Sequence, residues 1–130
     1  MFTKEQIEAA HSKVKSGVDF PNYVKEIKEL GIISHEVLLL EGIWIFKGID
    51  GQVVQFRKGK DSIMVSHQTS PEKFKQILTM HQNGETDYGT FCVQAGEAGV
   101  ERWISDFKHM TVSYLDSYGN IIDIEPIPGV

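Results

Sequence analysis

Three side chains with the chemistry of a nucleophile, a base and an orienting acid stand close together: Cys92, His81 and Asp87. A thiol becomes a nucleophile when a neighbouring imidazole takes its proton and a carboxylate holds that imidazole in one tautomer. Such a set would suit a small cysteine-dependent hydrolase or transferase. Position argues against it. Asp87 stands where a helix N-cap is expected, and Cys92 lies past the first turn, where the helix dipole no longer lowers a thiol pKa. Cys92 also shares a stripe with Tyr88, Phe91 and Ala95, which predicts a small buried hydrophobe. His81 falls on the apolar stripe of the preceding helix, in its last turn, where an imidazole can bond the terminal carbonyls.

The same stretch offers a second chemistry. Tyr88, Phe91 and Trp103 flank Gly96 and Gly99, and these five are the candidate ligand-binding residues. Tyr88, Phe91, Cys92 and Ala95 repeat at helical spacing, and so do Val100, Trp103, Ile104 and Phe107. The two stripes are out of phase, which predicts two short core-facing helices joined by a bend at Ala95–Gly99. The reading is a non-catalytic protein that binds a small ligand or a protein partner, with a homodimer allowed; function is sought first at the bend and its aromatic flanks.

Other chemistries lack their patterns. Gly96-Glu-Ala-Gly99 has too few glycines for a phosphate loop or a dinucleotide fingerprint, and no cofactor is expected. His11, His35, His67, His81 and His109 are scattered singly, without metal-ligand spacing, so no metal site is assigned. One cysteine cannot form an internal disulfide, which fits a reducing cytosol.

The elements that must position these residues are legible. Thr3 and Gln6 have capping-box spacing, and Ile7, Ala10, His11 and Val14 make the stripe of a first helix running toward Gly17. Asp19 and Pro21 open a second helix, closed by Gly31. His35–Leu40, Ile43–Phe46 and Gln52–Phe56 read as strands, joined by Glu41-Gly42 and Asp50-Gly51, with Ile63–Val65 as a short fourth. Tight turns between sequential strands require antiparallel pairing. Ser70-Pro71 opens a third helix whose stripe is Phe74, Ile77, Leu78 and His81. A hairpin of Met110–Leu115 and Ile121–Glu125 ends the chain, with Pro126 and Pro128 suited to a sheet edge. The order ααβββ(β)α(α)ββ predicts an α+β fold, one antiparallel sheet of about five or six strands with helices packed against it. At 130 residues the expectation is a single domain spanning 1–130, and no internal repeat is evident.

Charge narrows the partners. The net charge is −5, and beyond residue 82 only Arg102 and Lys108 are basic. The one basic cluster, Arg57-Lys58-Gly59-Lys60, reads as a solvated loop, and the helix faces alternate lysine with glutamate, so nucleic acid is not an expected partner. The longest apolar runs, Val37–Leu40 and Ile43–Phe46, are far shorter than the ~20 residues of a membrane span, and the N-terminus lacks signal-peptide character. The expected location is cytoplasmic.

Asp87-Tyr88, Phe91-Cys92, Gly99-Val100, Trp103, Tyr114-Leu-Asp116 and Ile127-Pro128, with Met1-Phe-Thr3 and His11–Gly17, carry a resemblance along the whole chain. The chain resembles small bacterial and prophage proteins of unknown function sometimes labelled "phage envelope protein". The resemblance implies a stand-alone bacterial or phage-derived domain and transfers no catalytic residue.

Overall fold

Thr3 makes the capping box its spacing predicts: its hydroxyl accepts from the Gln6 backbone N–H, and the Gln6 side chain takes the Thr3 N–H. The computed structural model describes residues 1–15, 17–58 and 63–127; of the residues named above, Ser16, Gly59, Lys60 and Pro128 lie outside that set. The helices are α1 (Lys4–His11), α2 (Phe20–Glu29), α3 (Pro71–Gln82) and α4 (Tyr88–Glu97), with a 3-10 turn at Gly17–Asp19 before α2. The strands are β1 (Ile32–Leu38), β2 (Ile43–Gly48), β3 (Val53–Arg57), β4 (Val100–Asp106), β5 (Thr111–Asp116) and β6 (Ile121–Pro126). They form one antiparallel sheet in the order β3-β2-β1-β4-β5-β6, so the fold is α+β and β6 is an edge strand.

Alternation sends His35, Val37, Trp44, Phe46, Trp103, Ser105, Val112 and Tyr114 to one face, where all are buried. The helices cover that face with Ile7, Tyr23, Ile27, Phe74, Leu78, Phe91 and Ala95 in one continuous core. The opposite face, with Ile45, Ile104 and the Arg102–Glu36 ion pair at 3.0 Å, stays partly open to solvent.

Four expectations need correction. Val100–Phe107 is not a helix: Val100–Asp106 is β4, a central strand. A bulge between Val100 and Arg102 lets Val100 and Trp103 both face inward, and three-residue spacing then imitates a helical stripe. The Ala95–Gly99 region is therefore a helix end, where Gly99 takes φ +94° to turn the chain into β4. Ile63–Val65 is not a strand; this segment lies across α4, with the Ser66 N–H donating to the Gly96 carbonyl at 2.9 Å. The first helix stops at His11 instead of running toward Gly17, and the Asp19 carboxylate reaches back to the Lys15 N–H at 2.9 Å instead of capping α2.

The fourth correction concerns repetition. The fold is two copies of an ααβββ unit, and its landmarks recur 68 positions apart. Phe20–Glu29 becomes Tyr88–Glu97, the bulge at Ile32/Ser34 becomes Val100/Arg102, and β1–β2 becomes β4–β5. Left-handed residues recur in step: Gly31 and Gly99, Gly42 and Met110, Gly51 and Gly119. Met110, at φ +55°, is the non-glycine member of that set. Across the junction, Leu39 N–H donates to the Glu101 carbonyl at 2.9 Å and Phe107 N–H to the Ile33 carbonyl at 3.0 Å, two bonds that exchange under the same shift. The β1–β4 pair lies on a local two-fold axis. The β6 register departs from the pattern by one residue, Val112 pairing with Glu125 where Trp44 pairs with Phe56.

Candidate functional site

The proposed nucleophile is placed in the core. Cys92 is 5% exposed, its thiol is held by the Tyr88 hydroxyl, and burial pushes its pKa up to about 12. A thiol in that state carries almost no thiolate at neutral pH. Asp87 caps α4, its Oδ1 accepting from the Thr90 N–H at 2.7 Å, and that bond first of all holds its pKa below the usual carboxylate range. The His81 ring stacks on Phe91 at 4.4 Å and its Nδ1 meets the Thr86 carbonyl at 3.3 Å. Burial lowers its pKa. Among the described residues no hydrogen bond joins His81 to Cys92 or to Asp87, while the Asp87 charge acts on His81 against the effect of burial.

The glycines serve packing. A Cβ at Gly96 would collide with the Met64 carbonyl oxygen, and one at Gly99 would lie 2.8 Å from the Thr69 Cα and 2.9 Å from the Gln68 carbonyl. Their bare faces let the segment after residue 62 cross the end of α4. They lie outside the cavity described next.

Tyr88, Phe91, Trp103 and His81 do come together, in the wall of a cavity of about 520 Å³ between the helices and the sheet. Its floor is Trp44, His35, Ser105, Trp103, Val112 and Tyr114, from both halves of the sheet. The four helices supply its sides: His11 from α1, Tyr23 from α2, Leu78 and His81 from α3, and Tyr88 and Phe91 from α4. Gln82 and Glu125 are more exposed members of the lining. The cavity therefore straddles the junction of the two ααβββ units.

One end is a cluster of rings around His11, which meets Trp44 at 4.6 Å, Tyr88 at 5.2 Å and Tyr23 at 5.5 Å, each edge to face. Below it His35 stacks on Phe46 at 4.0 Å and meets Trp44 at 4.9 Å. Burial forces both imidazoles toward neutrality: the pKa of His35 falls to about 3, and that of His11 to about 4, with Lys58 adding to the effect on His11. Burial raises the Tyr23 phenol above its ordinary value, so it too is neutral.

Two polar atoms of this cluster have no partner among the described residues. Tyr23 and His35 are each 4% exposed, and neither the Tyr23 hydroxyl nor His35 Nε2 makes a hydrogen bond. A buried polar atom left unpaired costs about 1–3 kcal/mol, and such exceptions call for an explanation. Both side chains line the cavity. By contrast the Tyr88 hydroxyl is held by Trp44 and Cys92.

Sequence reasoning found Tyr88, Phe91, Trp103 and His81 but missed Tyr23, His35 and Trp44, and took His11 for a core residue. The available signal was weak: a histidine within the apolar His35–Leu40 run, at a position that alternation buries. Among the described residues, no three His, Cys, Asp or Glu side chains gather as metal ligands.

The fold and cavity define a duplicated, open-faced α+β protein with an aromatic chamber under its helices. By sequence, residues 8–126 match the family described as "Protein of unknown function (DUF1398)", and the chain belongs to that family. It is also similar to the uncharacterized protein YcgX of Escherichia coli (strain K12), 28% identical over 78 residues, which is 60% of this chain. That match spans 58% of the relative's length. Neither description names an activity, a phage or an envelope. No helix among the described residues is long and apolar enough to cross a membrane.

Proposed function

We propose that this protein is a non-catalytic, cytoplasmic binding protein that holds a small, predominantly apolar molecule in the chamber between its helices and sheet. The supporting observation is an aromatic-lined cavity two of whose lining residues, Tyr23 and His35, each bury a polar atom with no partner among the described residues, the Tyr23 hydroxyl and His35 Nε2. Ligand pockets are typically apolar concavities of roughly 300–1,000 Å³ carrying a few placed polar groups, and about 520 Å³ falls within that range. The absence of catalysis is argued from Cys92, buried and protonated, and from His11 and His35, both poor proton acceptors at neutral pH.

Titrating isotope-labelled protein with toluene tests the reading. Chemical-shift changes centred on the Trp44 and Trp103 indole N–H groups and on the Ser105 amide are expected. Changes confined to the open sheet face, or none at saturating toluene, would overturn it.

A further inference from the structure

The local two-fold allows the two ends of the cavity to be compared residue by residue. Under the 68-residue shift, Tyr23 corresponds to Phe91 and His35 to Trp103. Between the first helices the caps Thr3 and Ser70 align one residue closer, and His11 then corresponds to Leu78. At these three lining positions the first half presents a polar ring against Phe91, Trp103 and Leu78, whereas at Phe20/Tyr88 and Val14/His81, which also line the cavity, the polar member lies in the second half. Among the described residues the buried unpartnered side-chain atoms belong to Tyr23, His35, Gln52, Gln94 and Ser117; the two in cavity-lining residues, Tyr23 and His35, lie in the first half. Of the polar lining members of the other half, His81 meets the Thr86 carbonyl, Gln82 is exposed and Glu125 is part-exposed beside Asp123, while Ser105 and Tyr114 are buried in the floor.

Resting on the binding reading above, we propose that the ligand is a neutral aromatic alcohol of the phenol type, seated with its hydroxyl between Tyr23 and His35 and its apolar body against Phe91, Trp103 and Leu78. A hydroxyl both donates and accepts, so it can donate to an unprotonated His35 Nε2 and accept from the Tyr23 O–H. A hydrocarbon would leave both atoms unpaired. A carboxylate would be desolvated without a cation, since among the described residues no Lys or Arg lines the cavity and its lining acid is Glu125. The nearby ammonium of Lys58 sits 5.5 Å from the Trp44 ring and 3.9 Å from the Glu8 carboxylate. An ammonium ligand would meet two neutral groups at the polar end and no carboxylate there.

The experiment compares 4-propylphenol, propylbenzene and 4-propylbenzoate at pH 7.5, reading tryptophan fluorescence. Both tryptophans of the chain line the cavity, so any occupant reports. The phenol should bind at least fivefold more tightly than the hydrocarbon, and the benzoate should not bind up to millimolar concentration. Tyr23→Phe and His35→Phe keep ring shape; with folding checked by circular dichroism, each should reduce the phenol's advantage severalfold and leave propylbenzene affinity unchanged. Equal binding of phenol and hydrocarbon, undisturbed by either variant, would overturn the ligand class while leaving the binding reading intact. Tightest binding by the benzoate would also overturn it. Failure of all three to bind would overturn both.

Discussion

At the residue scale the chain's chemistry is decided by burial. Cys92 looks reactive by type, but desolvation is the first cause of its pKa near 12. Native protein is therefore expected to resist iodoacetamide at pH 8 and to react stoichiometrically once unfolded in guanidinium; full native labelling would contradict the placement. The histidines give a pH signature. Burial lowers the pKa of His35 to about 3 and that of His11 to about 4 in the folded chain, against 6.5 for an unperturbed imidazole. Between those values the unfolded chain binds more protons than the folded one, so stability is present above pH 6.5 and falls as pH drops toward 4. The slope is at most about 1.4 kcal/mol per pH unit for each histidine, and smaller for the part-exposed His11. His35→Phe should flatten the acid limb of a Tm-versus-pH curve, and an unchanged limb would show that His35 is not the group titrating. These environments were not legible in the sequence, because a histidine in an apolar strand looks the same whether its nitrogens are paired or not.

At the element scale, capping and turn chemistry were readable and strand β4 was not. Thr3, Ser70 and Asp87 cap helices as their spacing indicates. β4 was obscured because the bulge at Val100/Arg102 breaks two-residue alternation, and because β4, paired on both sides, has part-buried Ile104 on the face opposite Trp103. Two helical glycines of α4 should respond in opposite directions. Gly96→Ala forces a Cβ against the Met64 carbonyl and should destabilise by about 1–3 kcal/mol. At Gly89 the nearest atom would be Asp87 Oδ1, 3.8 Å away, and alanine there should stabilise by about 0.5 kcal/mol. Chemical denaturation of the two variants checks the pair, and a neutral Gly96→Ala would mean that the segment at Met64 does not pack on α4.

At the scale of the whole molecule, the duplication explains the site. Two ααβββ units pair β1 with β4, and the chamber forms where their helices meet over that pair. The duplication escaped sequence inspection because residues 19–57 and 87–125 share only Asp19/Asp87, Glu29/Glu97, Gly31/Gly99 and Gly51/Gly119. Two of those pairs are glycines at positive φ, where the backbone restricts the residue type. Elsewhere the constraint is only polarity and size, which many residues meet. Two of the substitutions that hid the repeat, Tyr23 against Phe91 and His35 against Trp103, fall in the cavity lining.

The central claim is that Tyr23 and His35 hold unpaired polar atoms at a cost to stability because a ligand satisfies them. Thermal unfolding of wild type, Tyr23→Phe and His35→Phe, with and without 4-propylphenol at pH 7.5, tests it directly. Without ligand each variant should be more stable than wild type by about 1 kcal/mol, since an unpaired buried group has been replaced by an apolar one of similar shape. With ligand, wild type should gain the most. Variants less stable than wild type in the free state, and raised as much as wild type by the phenol, would contradict the claim.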